Sequence, residues 1–130
     1  MREQVILIID DEEGSVAYAS AVLREEGRTI ISARDGAAGL RAARSEHPDL
    51  VILNVQMPKM DGFTLFSELR HDEATKDIPV IMLTGVGEKT GVRFSASDMG
   101  EFLGVEPEGY VEKPIDEEAL ETTVARILGS

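Results

Sequence analysis

The chain has no cysteine among its 130 residues, so disulfides and thiolate chemistry are excluded. It has no apolar run approaching the length of a membrane-spanning helix. No signal peptide is read at its start, where Arg2 and Glu3 lead straight into the strand-like run from Val5 to Ile9. A soluble, cytoplasmic protein without membrane insertion is expected. Basic residues are scarce: 13 Lys and Arg stand against 25 Asp and Glu, a net charge of −12. Direct binding to DNA, RNA or anionic lipid needs a basic surface and is therefore disfavoured. The acid excess reads as a solvated surface, within which a few carboxylates can form a cation-binding cluster. Internal repeats and low-complexity segments are missing too. The length suits a single domain, residues 1–130, with one core. No linker or second domain is read after the last helical segment, so output is expected from this domain alone. The sequence leaves oligomeric state open.

What is present is an alternation of short apolar runs with amphipathic segments. Strands are expected at Gln4 to Ile9, Thr29 to Ser32, Leu50 to Asn54, Ile78 to Leu83 and Tyr110 to Glu112. Helices are expected at Glu13 to Glu26, Ala37 to Glu46, Thr64 to Arg70 and Asp116 to Leu128. Val16, Ala19 and Leu23 have near-helical spacing, and Gly27 is a plausible stop for the first helix. Leu120, Val124, Ile127 and Leu128 form one stripe on the last, which Asp116 can cap. Strands alternating with helices imply βαβ units and a parallel sheet covered on both faces. The fold class expected is α/β: a three-layer, doubly wound, five-stranded parallel sheet of the flavodoxin-like order 2-1-3-4-5.

In such sheets chemistry collects at the carboxyl ends of the strands. Asp10 and Asp11 end the first strand. They can cap the following helix, or they can supply the hard oxygen ligands that suit Mg²⁺. Asn54 ends the third strand, where Leu50-Val51-Ile52-Leu53 gives way to the turn-rich Val55-Gln56-Met57-Pro58-Lys59-Met60-Asp61-Gly62. Thr84 ends the fourth strand, either as a turn-forming hydroxyl or as a site group. Lys113 ends the fifth, either as a solvated charge or as a cation facing an anionic ligand. Gly85-Val86-Gly87-Glu88-Lys89-Thr90 is not a phosphate-binding loop, because that motif needs Gly immediately before Lys and Glu88 intervenes.

This ordered set resembles the response-regulator receiver domains of two-component phosphorelays over nearly the whole chain. The resemblance rests on the acidic pair after strand one, the Met-Pro-Lys-Met-Asp-Gly loop after strand three, Thr84 after strand four and Lys113-Pro114 after strand five. It implies a Mg²⁺ site made by Asp11, by Asp10 through water and by the Gln56 backbone carbonyl. It also implies Thr84 and Lys113 as phosphoryl contacts, Tyr110 as the switch aromatic and a cis Lys113–Pro114 bond. In the family, phosphate draws the hydroxyl of the Thr84 position inward and the aromatic fills the space left. Without phosphate, Tyr110 is expected to turn outward. Half-buried strand packing is the plainer reading of that tyrosine. The implied partners are a sensor histidine kinase or a histidine phosphotransfer protein, and a downstream protein target.

Two departures matter. Asn54 stands where the family has a phosphorylatable Asp. A carboxylate can carry a phosphoryl group as an acyl phosphate, whereas an amide oxygen is a far poorer nucleophile. The loss of a charged ligand also implies weaker Mg²⁺ binding. The second departure is the glycine-rich stretch from Gly85 to Gly109, which makes the interval from Thr84 to Lys113 longer than is usual in receivers and argues against one long regular helix there. Three functions follow. The first is a stand-alone receiver in which Asn54 is an engineered block to phosphorylation. The second is a natural pseudo-receiver that binds protein without phosphorylation. The third, a small phosphatase using Asp10, is disfavoured because Glu12 stands where a second Asp is normally wanted and the chain has no substrate-covering cap. The expected function is not enzymatic.

Overall fold

The structure, a computed structural model, describes residues 4–24, 28–55, 62–85, 108–113 and 115–129, with the backbone alone at Phe63 and Lys113. Five runs rich in Ile, Leu and Val form the strands β1 (Gln4–Ile9), β2 (Arg28–Ala33), β3 (Leu50–Asn54), β4 (Val80–Gly85) and β5 (Gly109–Lys113). Four helices are described: α1 (Glu13–Leu23), α2 (Gly36–Glu46), α3 (Gly62–His71) and α4 (Glu117–Leu128). The strands form one parallel sheet in the order β2-β1-β3-β4-β5, as expected. No helix of the described residues is long and apolar enough to cross a membrane.

Because successive strand residues point to opposite faces, a strand covered on both sides must be apolar at every position. Ile6 and Ile8 of β1 accordingly join Ala19 and Leu23 of α1 and Leu120 and Val124 of α4. Leu7 and Ile9 join Ala43 of α2 and Leu65, Phe66 and Leu69 of α3 on the other face. The stripes expected on the first and last helices are the ones that meet the sheet.

Element ends have local causes. Asp116 caps α4 by accepting the Ala119 N–H at 2.9 Å, and Asp35 does the same for α2 through Ala38 at 2.8 Å. Capping of α1 by Asp10 or Asp11 is corrected: Glu12 is the N-cap residue and makes no side-chain cap bond. Asp10 instead accepts the Glu12 N–H at 3.0 Å, a turn two residues on that carries the chain from β1 into the helix. α1 ends at Leu23, and the proposed stop at Gly27 lies outside the described residues. β4 starts at Val80 rather than Ile78, because the Ile78 N–H is held in a turn by the Thr75 carbonyl at 3.0 Å and Pro79 has no N–H to give the ladder. The amino end of β4 is then tied down by one arginine. Arg70 donates to the Ile78 carbonyl at 2.8 Å and pairs with Glu108, whose carboxylate also accepts the Val80 N–H at 2.7 Å.

α2 lies unusually close to the end of β1. A Cβ at Gly39 would sit 2.6 Å from Cδ1 of the fully buried Ile9, so only glycine fits. α2 is also joined to the end of α3 by Arg44, whose Nε lies 2.5 Å from Asp72 Oδ2. The Ala74 N–H bonded to Asp72, and then Arg44, hold this carboxyl below its ordinary value of 3.8. A carboxyl lowered in the folded state adds stability that is present above its unfolded pKa and lost as pH falls through the lower folded value. The stability gap between the native chain and Asp72→Asn should therefore close below about pH 4. Paired thermal melts from neutral to acid pH check this, and a gap that is constant down to acid pH would refute it.

Candidate functional site

Asp10, Asn54, Thr84 and Lys113 all lie at the carboxyl edge of the sheet, each brought there by its own strand. The Asp10 N–H donates to the Ala33 carbonyl at 3.1 Å, which continues the β1–β2 ladder one step beyond β1. Asn54 pairs in register with Leu83, and the Val55 N–H donates to the Leu83 carbonyl at 3.0 Å. By strand alternation Asp10 and Asn54 share the α1/α4 face. Both are buried, at 1% and 6% exposure, while Asp11 is exposed.

The Asn54 amide is turned with its nitrogen toward the acids. Nδ2 lies 3.3 Å from Asp10 Oδ1 and 3.4 Å from Asp11 Oδ1, so one N–H₂ group donates toward both carboxylates. These bonds are long, but each ends on an ionisable oxygen, and hydrogen bonds to charge are stronger than neutral ones. A carboxylate at this position has no N–H to offer. It would place a third negative charge within a few ångströms of the other two.

Thr84 and Tyr110 lie on the other face. Met82 pairs with Tyr110 and Thr84 with Glu112, so Thr84 is two positions along β4 from the Tyr110 partner and shares its face. Thr84 is half-buried. Tyr110 packs against the core cluster beneath α2 and α3, with its hydroxyl oxygen buried. This is the half-buried strand packing that is the plainer reading of the residue. The ring gains from this burial whether or not a phosphoryl group is present. Lys113 pairs in register with Gly85, one step beyond Thr84 at the same edge, and its side chain lies outside what is described. Gln56, Pro114 and the expected cis bond, and most of the Gly85-to-Gly109 stretch, also lie outside the described residues.

Among the described residues, Asp10, Asp11 and Asn54 as arranged do not fit a Mg²⁺ ion. The ion asks for oxygen ligands, yet residue 54 turns a donor toward the acids, and Asp10 Oδ1 already accepts from both Asn54 and Glu12. Among the described residues no group of three or more His, Cys, Asp or Glu side chains is placed to hold a metal.

Sequence reasoning missed the role of Gly62. Its N–H donates to the Val55 carbonyl at 2.6 Å. A Cβ there would lie 2.6 Å from both the Asn54 carbonyl oxygen and Val55 Cα. α3 thus starts in backbone contact with the residue that forms the site. The signal was the Asp61-Gly62 dipeptide, which reads only as a turn.

Comparison with known proteins gives a consistent result. A family model described as "Response regulator receiver domain" matches residues 6–125. The chain is 34% identical over 127 residues to Protein PilH of Pseudomonas aeruginosa, covering 95% of this chain and 96% of that protein. It is 37% identical over 123 residues to the DNA-binding dual master transcriptional regulator RpaA of a Synechocystis species, covering 95% of this chain and 48% of that protein. The chain spans nearly all of PilH but only about half the length of the transcriptional regulators it matches. Among solved structures, the chemotaxis response regulator CheY4 of Vibrio cholerae superposes with a TM-score of 0.80 at 28% identity, covering 96% of this chain and 98% of that one. A response regulator from Desulfuromonas acetoxidans gives 0.77 at 28% identity, covering 97% of each chain.

Proposed function

The chain belongs to the response regulator receiver family, and we propose that within it this is a signalling domain that cannot carry phosphate at position 54. Receiver domains are generally non-enzymatic modules that interact with histidine kinases or phosphotransfer proteins and bind Mg²⁺ at an acidic pocket. Residues 1–130 act here as one receiver unit. Asp10 and Asp11 form the acidic pair, Asn54 takes the acceptor place, and Thr84, Lys113 and Tyr110 are the phosphoryl-contact and switch positions. A sensor kinase or phosphotransfer protein docks on it, and a downstream protein target reads it.

The observation that carries this reading is the direction of the Asn54 amide. Its nitrogen faces Asp10 and Asp11, and the group has no anionic oxygen with which to attack a phosphoryl donor. Tyr110 favours a second reading, in which the domain binds its target without phosphorylation. Its ring packs against the core cluster beneath α2 and α3 with Asn at position 54.

Beryllofluoride with Mg²⁺ mimics the phosphoryl group on a receiver Asp, which makes it a direct probe. The Thr84, Tyr110 and β5 amides of the native chain should show no NMR shift on its addition, whereas those of Asn54→Asp should shift. A native chain that responds like the Asp variant would overturn the proposal. For the second reading, the native Tyr110 ring resonances should match those of the loaded Asp variant, and ring signals matching only its unloaded form would refute it.

A further inference from the structure

We infer that the Asn54 amide acts as a built-in substitute for the divalent cation, so that the acidic crevice of this chain is held together without Mg²⁺. This deepens the reading above by naming the regulation of the same site, and it rests on that assignment of position 54.

Asp10 is buried at 1% exposure beside Asp11, and a buried carboxylate is tolerated only when donors or charges compensate it. Among the described residues, two donors reach the acids. The Glu12 N–H reaches Asp10 Oδ1 at 3.0 Å, and Asn54 Nδ2 spans Asp10 and Asp11 at 3.3 and 3.4 Å. The amide nitrogen therefore bridges the two carboxylates, which is the task a divalent cation performs by coordination. Asn54 is itself held at 6% exposure in β3, and the adjoining Val55 N–H is tied to Leu83, so the donor is fixed by the sheet. With Asp at position 54 the donor disappears and three carboxylates crowd one crevice, which then needs a cation. A single side-chain atom thus decides whether the domain responds to Mg²⁺ at all.

The test is thermal unfolding of the native chain, Asn54→Asp and Asn54→Ala, in chelator and in excess Mg²⁺, with calorimetric Mg²⁺ titration of each. The native melting temperature should move by no more than about 1 °C, and the native titration should give no binding heat. Asn54→Asp should melt below the native chain in chelator and rise by about 5 °C once Mg²⁺ reaches roughly ten times its dissociation constant. Asn54→Ala, which removes the donor without adding charge, should also gain a Mg²⁺-dependent rise, and it decides the matter if the Asp variant fails to fold in chelator. A native rise equal to that of either variant, or variants as insensitive to Mg²⁺ as the native chain, would overturn the inference. Those outcomes leave the phosphate reading standing. A native response to beryllofluoride would sink the phosphate reading without touching the melting comparison.

Discussion

Gly62→Ala should cost about 3 kcal/mol of stability and disturb the site directly, because overpacking against atoms that cannot yield falls at the upper end of its usual range. The added Cβ would meet the Asn54 carbonyl oxygen and Val55 Cα at 2.6 Å and the Val55 carbonyl oxygen at 2.9 Å. All three are backbone atoms, and the Asn54 and Val55 backbone is held by pairing with β4. A side chain could rotate away, but this strand end cannot. The start of α3 must move instead, breaking the 2.6 Å bond from Gly62 to Val55. Urea denaturation gives the free energy, and amide shifts at Asn54, Val55 and Leu83 report the strand end. A loss under about 0.5 kcal/mol, typical of a neutral surface change, would contradict the close approach.

Phe66→Ala should cost more, about 3–5 kcal/mol, and leave the crevice intact. Phe66 lies one helical turn beyond Gly62 and is fully buried in the cluster between the sheet and helices α2 and α3. Its ring also carries the Arg70 guanidinium 4.9 Å from its centroid, a contact worth about 0.5–1 kcal/mol beyond the cavity cost. Arg70 in turn holds the amino end of β4 through Ile78 and Glu108. The urea midpoint should fall sharply while the slope stays near the native value. In the Asn54→Asp background, beryllofluoride should still perturb Thr84. Loss of that response with the fold retained would show that Phe66 serves the site as well as the core.

Much of the architecture could be read from the chain because parallel strands buried on both faces are apolar at every position, and each such run stood between helical patterns. β3 was read to its last residue because Leu50 to Leu53 is uninterrupted and Asn54 ends it. β4 was misplaced at its start because Ile78 is apolar, while the feature that decides the boundary is the missing N–H of Pro79. The acidic pair and Asn54 were legible as residues at strand ends. Their geometry was not: nothing in a sequence says which way an amide turns, and that direction separates a weakened metal ligand from a donor that binds the acids together. The packing of Tyr110 against the core is legible from its place in a strand, whereas its part in a switch has no mark in the sequence beyond the family resemblance. Gly62 and Gly39 were seen as turn and helix residues, since close approach between elements distant in sequence leaves no local mark.

Whether position 54 can carry phosphate is read by intact-mass spectrometry after incubation with acetyl phosphate and Mg²⁺. The native chain should keep its mass, and Asn54→Asp should gain one phosphoryl group that hydroxylamine removes, as expected of an acyl phosphate. A hydroxylamine-labile phosphoryl group on the native chain would contradict the account.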